Sequence, residues 1–212
     1  MSAVRNKLTQ LRDKRKYGLL RQYLRDCAAD MGVDLKPFYW IREWTQDGPP
    51  PRLKDDPASY TFEFFGTEEI KRIGQIKGYG FDTEKLLTLF RDGAECYGVK
   101  KDGEIAAFTW IDCARSNFKG YPVPMAAHEA YLFNLYTCKP YRGKNMAPYL
   151  RYRTYQILRE RGITVYYSVT EFFNAPSWKF KQKIHSKILK FGCSLELFRR
   201  YFKSWILREY PG

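Results

Sequence analysis

The sequence has few residues that bind metal ions or form disulfides. It contains two histidines, His128 and His185, and its five cysteines include no Cys-x-x-Cys pair. The cysteines are Cys27, Cys96, Cys113, Cys138 and Cys193. An odd number of scattered cysteines supports neither a disulfide framework nor a zinc site. We therefore interpret them as small buried hydrophobic residues and expect no metal cofactor.

Long apolar runs are also missing. No stretch approaches the 18 consecutive apolar residues of a membrane-spanning helix, and the first thirty residues lack the apolar centre of a signal peptide. We therefore expect a cytoplasmic protein without a transmembrane segment. With 212 residues, of which 44% are hydrophobic and 17% aromatic, the chain can fold around one substantial core and carry a short appended segment.

Acidic residues are outnumbered by basic ones, which gives a formal net charge of +14. This charge favours an anionic partner, such as nucleic acid, an acidic protein, an anionic membrane surface or a phosphorylated ligand. Many of the basic residues fall at positions 179–203, where Glu196 is the single acid. This basic segment predicts either an anionic contact or a solvated surface that keeps the protein soluble.

The N-terminal part of the sequence differs from the rest. Residues 4–31 place apolar side chains near helical spacing among arginines and lysines, which predicts one or two amphipathic helices. A strand-prone aromatic run at 38–44 follows and ends at Asp-Gly-Pro-Pro-Pro. We predict an extension at residues 1–57 and a larger domain at 58–212. The helices would dock on that domain, on a second copy in a homodimer or on a membrane.

From Tyr60 onward the hydrophobic pattern alternates between the strand and helix periods. Asp102-Gly103 lies between two apolar runs and predicts a hairpin. The predicted strands cover about 60–65, 94–101, 104–112, 131–136, 165–169, 192–197 and 204–209, and the helices about 67–77, 82–92, a span ending near 161 and one from Asn174 or Ser177 through 187. This order predicts an α+β domain.

A basic turn joins an apolar strand to an amphipathic helix at residues 135–147. Backbone N–H groups at a helix N-terminus, small residues and nearby cations together suit a pyrophosphate. The residues predicted to bind such a group are Arg142, Gly143, Lys144, Asn145, Met146 and Ala147.

This segment resembles the turn of the GNAT (Gcn5-related N-acetyltransferase) superfamily. There the turn reads (Gln/Arg)-x-x-Gly-x-(Gly/Ala), with Arg142 at the first position here and Ala147 at the last. Asn145 replaces the central glycine, and because asparagine tolerates positive φ, we expect the turn to survive. The resemblance covers about residues 60–210. It implies a GNAT-type mixed central β-sheet flanked by helices, here with an N-terminal helical extension.

The same resemblance implies an N-acyltransferase, most simply an acetyltransferase, that uses acetyl-CoA or another acyl-CoA. In the superfamily, the strands before the turn and after the helix separate and hold the pantetheine arm of coenzyme A. The resemblance gives this role here to the end of the first of these strands, Leu135, Tyr136 and Thr137. An asparagine after the second strand also reaches this arm, and it corresponds here to Asn174, with the small Ser177 three residues later. The alternative for Asn174 is a helix N-cap without a ligand role.

Relatives transfer the acyl group by direct attack of an amine, so the resemblance excludes Cys138 as a nucleophile. Many carry a glutamate eleven positions before the first residue of the turn, and this position is Tyr131 here. Glu129 shares the strand face of Tyr131 and could remove the proton of the amine, directly or through water. Glu171, beside Asn174, is the other candidate carboxylate. The alternative for both glutamates is a surface charge.

The general acid stays open. Relatives often use a tyrosine seven positions after the asparagine, which is Lys181 here. Tyr166, Tyr167 and His185 are candidate replacements, although a tyrosine on a strand is more often packed and a lone histidine more often solvated.

We expect the acceptor to be the primary amine of a small molecule, with an amino sugar as the favoured class. Trp40, Trp44 and Trp110 could form an aromatic wall for it, or they are core residues. The alternatives are a basic nucleic-acid-binding protein, an aminoacyl-tRNA-using enzyme on the same fold, and an acyltransferase whose donor is an acyl carrier protein.

Overall fold

The computed structural model describes most of the chain. The described residues are 27–43, 51–76, 80, 82–116, 118, 122–198 and 200–211. Residues 27–30 are helical, and residues 4–26 of the predicted amphipathic region, like Trp44, lie outside the described residues. None of the helices in this described part has the length and apolar character that crossing a bilayer requires.

Besides the helical residues 27–30 and two 3-10 helices, Pro57–Ser59 and Lys139–Tyr141, the described residues form eight strands and four α-helices. The strands are β1 (Val33–Glu43), β2 (Thr61–Phe64), β3 (Glu95–Lys101), β4 (Glu104–Asp112), β5 (Glu129–Thr137), β6 (Val165–Glu171), β7 (Lys187–Leu197) and β8 (Tyr201–Glu209). The helices are α1 (Thr67–Gly74), α2 (Thr83–Arg91), α3 (Met146–Glu160) and α4 (Ala175–Lys183).

The chain divides into two compact units. We call the unit of Thr45–Asn117 and Pro122–Tyr167 the central unit, and the unit of Met1–Trp44, Phe118–Tyr121 and Ser168–Gly212 the terminal unit. Strand β6 contributes its first three residues to the central unit and its last four to the terminal unit. The predicted division at residue 57 stays a prediction.

In the central unit the strand order is β2-β3-β4-β5-β6. The pairs β2–β3, β3–β4 and β4–β5 are antiparallel, and β5–β6 is parallel, so the sheet is mixed as expected. Asp102 and Gly103 form the predicted hairpin turn between β3 and β4, both with positive φ. Helix α3 buries Leu150 and Leu158 in two apolar clusters of this unit.

In the terminal unit the strand order is β6-β1-β7-β8. The predicted aromatic strand forms part of β1, which pairs antiparallel with β7 from Val33–Leu197 to Arg42–Lys187. Gly192 is needed where the two strands meet, because a Cβ there would lie 2.6 Å from Phe38 Cζ and 2.7 Å from the Trp205 carbonyl oxygen.

The last predicted helix is shorter than expected. Helix α4 ends at Lys183, not at residue 187, because His185 takes a left-handed φ of 50° that a helix cannot continue. The basic segment that follows then forms β7 and β8, which are both longer than the two short strands predicted there.

Candidate functional site

The predicted phosphate-binding turn begins where β5 ends. A short 3-10 turn at Lys139–Tyr141 leads into Gly143, with φ of 78°, and Asn145, with φ of 66°. Asn145 therefore takes the left-handed conformation that the sequence predicts, and α3 starts at the next residue. A Cβ added at Gly143 would meet no atom within 4 Å, so this side of the turn is open.

The start of α3 presents backbone donors. The first intrahelical bond of the turn is donated by Tyr149 N to Asn145 O at 3.3 Å. The N–H groups of Met146 and Ala147 precede it and have no acceptor within the helix, whereas Pro148 has no N–H. Met146 is buried, and its side chain belongs to an apolar cluster of the central unit, so this side chain serves packing.

Arg142 is exposed and oriented by the end of β5. Its Nε donates to the Thr137 carbonyl at 3.1 Å, and its Nη2 donates to the Tyr136 hydroxyl at 3.4 Å. The guanidinium carbon lies 5.5 Å from the centroid of the Tyr136 ring. These contacts use two of the five N–H donors of an arginine and fix the direction of the side chain.

Residues 52–55 hold the other side of the turn, which the sequence did not indicate. Lys144 Nζ contacts Asp55 Oδ2 at 2.7 Å, and the Tyr60 hydroxyl donates to the same oxygen at 2.6 Å. Asn145 Nδ2 donates to the Arg52 carbonyl at 2.9 Å. The hydrogen bonds from Lys144 and from Tyr60 lower the pKa of Asp55, so this carboxylate carries its charge beside the turn at neutral pH.

The two candidate catalytic residues of β5 lie next to β6. Glu129 pairs with Val165 in the sheet, and Tyr131 pairs with Tyr167. The Tyr167 hydroxyl donates to Glu129 Oε1 at 2.9 Å, and the Ala126 amide donates to Oε2 at 3.0 Å. Tyr131 is buried, and its ring stacks on Phe133 at 5.5 Å between centroids. The structure thus brings together Glu129, Tyr131 and Tyr167.

The other two replacements for a general acid lie elsewhere. Tyr166 points into the core, where its hydroxyl donates to the Ile163 carbonyl at 2.8 Å and burial raises its pKa. His185 is an exposed turn residue after α4. Of the three candidate replacements, Tyr167 is therefore the one that contacts a candidate base.

The ladder between β5 and β6 is short. It contains three residue pairs, from Glu129–Val165 to Tyr131–Tyr167, although both strands continue beyond the last pair. A bulge follows in β5, because Phe108 of β4 pairs with Tyr136 while Trp110 pairs with Phe133. Asn134, in this bulge, has a positive φ of 48°.

The terminal unit contains the remaining candidates. Asn174 caps α4, since its Oδ1 accepts from Ser177 N at 3.2 Å, and the hydroxyls of Ser177 and Thr170 lie 3.1 Å apart. The cap uses the oxygen of Asn174, and the Nδ2 group is the donor that this side chain can offer to a ligand. Glu171 is the last residue of β6, and its backbone carbonyl accepts a hydrogen bond from the backbone N–H of Asn174 at 3.0 Å.

Two of the five cysteines, Cys96 and Cys138, are buried as predicted, whereas Cys27, Cys113 and Cys193 are partly exposed. All five are free thiols, and burial raises the pKa of Cys138, whose relative accessibility is 9%. Cys138 is therefore mainly a neutral thiol at neutral pH. Within the described residues, no group of three or more histidine, cysteine, aspartate or glutamate side chains is arranged to hold a metal ion.

Two lysines of the basic segment are paired with acids. Lys190 lies 2.9 Å from Glu209, and Lys181 is buried against Glu43. The positive charge of each of these two lysines is therefore balanced by a neighbouring carboxylate.

The tryptophans predicted as a possible aromatic wall belong to the core instead. Trp40 and Trp110 are buried, as the core interpretation predicts, so neither forms an exposed aromatic wall.

The comparisons with known proteins agree with the fold. Among solved structures, the chain is similar to a protein assigned to the GNAT acetyltransferases from Novosphingobium aromaticivorans, at 19% identity and a TM-score of 0.53, covering 82% of this chain and 68% of the other. A Drosophila protein is 13% identical with a TM-score of 0.56, and the match covers 83% of this chain and 56% of the other. A tandem GNAT protein of the clavulanic acid biosynthesis pathway is 16% identical with a TM-score of 0.52, and the match covers 84% of this chain and 55% of the other.

At these identities the similarity shows the fold alone, and the chain spans little more than half of the last two structures. No curated protein sequence matches it. The sequence model of the acetyltransferase (GNAT) family matches residues 41–185, which is more than half of the chain. The chain therefore belongs to the GNAT family of acetyltransferases.

Proposed function

We propose that this protein is an N-acyltransferase that moves an acyl group, most simply acetyl, from acyl-CoA to the primary amine of a small molecule. An amino sugar is the favoured acceptor class. The observation that carries the proposal is the turn before α3, where two residues with positive φ, helix N–H donors without an intrahelical acceptor and the oriented Arg142 come together. This combination suits a pyrophosphate.

In this proposal, the N–H groups of the turn and the Arg142 guanidinium bind the pyrophosphate, and Lys144, which is paired with Asp55, lies beside it. The backbone of β5 beyond Tyr131 is outside the short ladder with β6, and it can pair with the extended pantetheine arm as with another strand. Leu135, Tyr136 and Thr137 belong to this stretch. Asn174 and Ser177 are proposed to contact the same arm.

The proposed chemistry needs one base. The amine attacks the thioester carbon, the carbon–sulfur bond breaks, the amine proton passes to Glu129 or to water that Glu129 orients, and coenzyme A leaves as the thiolate or thiol. Tyr167 and the Ala126 amide hold the Glu129 carboxylate in a fixed orientation. Tyr131 is a poor base, because a phenol has a reference pKa of about 10. Glu171 is the alternative base.

Titration calorimetry with coenzyme A and acetyl-CoA tests the cofactor site. We expect binding to the wild-type chain and a higher melting temperature in its presence. Arg142→Ala should weaken binding by about 1.5–3 kcal/mol, the usual value for hydrogen bonds to a charged partner, without lowering the melting temperature of the free protein. Arg91→Ala, an exposed arginine of α2, is the matched control. If millimolar coenzyme A or acetyl-CoA produces no heat of binding and no change in melting temperature, the proposal is wrong.

A thiol-release screen of amines against acetyl-CoA, longer acyl-CoAs and acyl carrier protein identifies acceptor and donor. With the best pair, Glu129→Gln should lower kcat by about 10²-fold or more with little change in coenzyme A affinity, since general-base catalysis contributes about 10²–10⁴. Tyr167→Phe should lower kcat by a smaller factor than Glu129→Gln does. Glu171→Gln is the control. If Glu171→Gln loses activity while Glu129→Gln keeps a near-normal kcat, Glu171 is the base and Glu129 is not.

A further inference from the structure

Helix α4 carries a buried charged network that the proposed chemistry does not use. Lys181 of α4 forms an ion pair with Glu43 at the end of β1, and the two side chains are 4% and 0% exposed. Lys181 Nζ also donates to the Ser168 hydroxyl of β6 at 2.6 Å. Three elements of the terminal unit thus meet at one ammonium group.

Stability does not account for this network. Removing an ammonium and a carboxylate from water is costly, and apolar side chains of similar size hold buried elements equally well or better. Apolar packing, however, is not directional. Hydrogen bonds and ion pairs have defined geometry, so a buried polar network fixes how one element is rotated against another.

The network has a second member one helical turn away. Ser177 and Lys181 are four residues apart in α4 and therefore share a face. They contact Thr170 and Ser168, which are two residues apart and share the buried face of β6. Two polar contacts in succession fix both the rotation and the position of α4 along β6. Asn174, the cap of the same helix, moves with it.

We propose that Lys181, held by Glu43 and Ser168, is a positioning residue for the pantetheine arm of acyl-CoA. It fixes the rotation of α4 and thereby directs Asn174 and Ser177 toward the ligand. This inference rests on the proposed function, because it concerns how two of the proposed cofactor-binding residues are oriented. It assigns no proton transfer to Lys181.

The test replaces both members of the Lys181–Glu43 ion pair at once. The double variant Glu43→Leu/Lys181→Met and the matched control Lys183→Met, an exposed lysine of the same helix, are compared with the wild type. Melting temperature reports folding. Calorimetry measures binding of coenzyme A and of adenosine 3′,5′-bisphosphate, which lacks the pantetheine arm.

We expect the double variant to melt at or above the wild-type temperature and to bind coenzyme A about tenfold more weakly, the effect of losing one well-placed hydrogen bond. Its affinity for adenosine 3′,5′-bisphosphate should stay unchanged, because that ligand does not reach α4. Lys181→Arg, which keeps the cation, should bind coenzyme A more tightly than the double variant. The control should match the wild type with both ligands.

Equal coenzyme A affinity in a stable double variant would overturn the proposal, and so would a parallel loss for both ligands. If the double variant does not fold, Ser168→Ala provides the same comparison with a smaller expected loss, about threefold, confined to coenzyme A. The wild-type titration reports on the proposed function separately. A wild-type chain that binds no coenzyme A would remove both proposals, whereas a failure of the variants alone would remove only this one.

Discussion

The two helices that begin at proposed cofactor-binding residues are anchored in different ways. Helix α3 fixes its position in the central unit mainly with buried apolar side chains, among them Leu150 and Leu158, and with one buried arginine, Arg151. Helix α4 is fixed in the terminal unit by Ser177 and Lys181, with Phe180 as its buried aromatic residue. Apolar anchors tolerate small rotations, whereas polar anchors demand one orientation.

Apolar and polar anchors also differ in how much stability a substitution costs. Truncating an apolar side chain leaves a cavity, and its cost depends on how far the neighbours relax. Removing one partner of a buried ion pair leaves a charge without water or counter-ion, and replacing the second partner relieves that cost. The two helices should therefore respond differently to a second substitution.

The largest expected effect is on stability. Lys181→Met alone should lower the free energy of unfolding by about 3–5 kcal/mol, because Glu43 stays buried without the ammonium. Leu158→Ala should cost about 2–5 kcal/mol. Adding Glu43→Leu to Lys181→Met should restore most of the loss, as urea denaturation can measure. If the second substitution adds further loss instead, the two helices do not differ in the way described.

An intermediate effect is expected at the start of α3. Asn145→Gly keeps the positive φ at no steric cost and loses only the hydrogen bond to the Arg52 carbonyl, so stability should change by less than about 1 kcal/mol and coenzyme A affinity by less than about threefold. Asn145→Ala, the matched comparison, should cost about 1–2 kcal/mol. A large loss of affinity for the glycine variant would show that the amide itself contacts the ligand.

The smallest expected effect concerns the charge beside the turn. Asp55→Asn keeps the shape of the contact with Lys144 and removes a negative charge, so coenzyme A should bind about two- to fivefold more tightly at low salt, and less so at high salt. Weaker binding in titration calorimetry would mean that the carboxylate is needed to hold Lys144 in place.

The same variant should change the response to acid. Because Lys144 and Tyr60 lower the folded-state pKa of Asp55, its stabilising contribution is present above the ordinary pKa of an aspartate and is lost as the pH falls through the lowered value. The melting temperature of Asp55→Asn should therefore fall less than that of the wild type between neutral and strongly acidic pH. Parallel curves would contradict this assignment.

Features encoded by a few neighbouring residues could be predicted from the sequence. The Asp102-Gly103 hairpin, the strand–turn–helix around Arg142 and the left-handed Asn145 are of this kind, because backbone preferences and helix donors depend on adjacent residues. The family and the mixed sheet followed from the same segment. The roles of the individual site residues stay predictions.

Contacts between distant residues were decided only in the folded chain. Nothing in the sequence pairs Glu129 with Tyr167, because that contact depends on the parallel alignment of β5 and β6. Lys181 resembles the exposed lysines around it in sequence, yet it is buried against Glu43, 138 residues away. Periodicity marks apolar residues for burial, but a charged residue is buried only where a distant partner offsets its loss of water, and the tertiary structure alone supplies that partner.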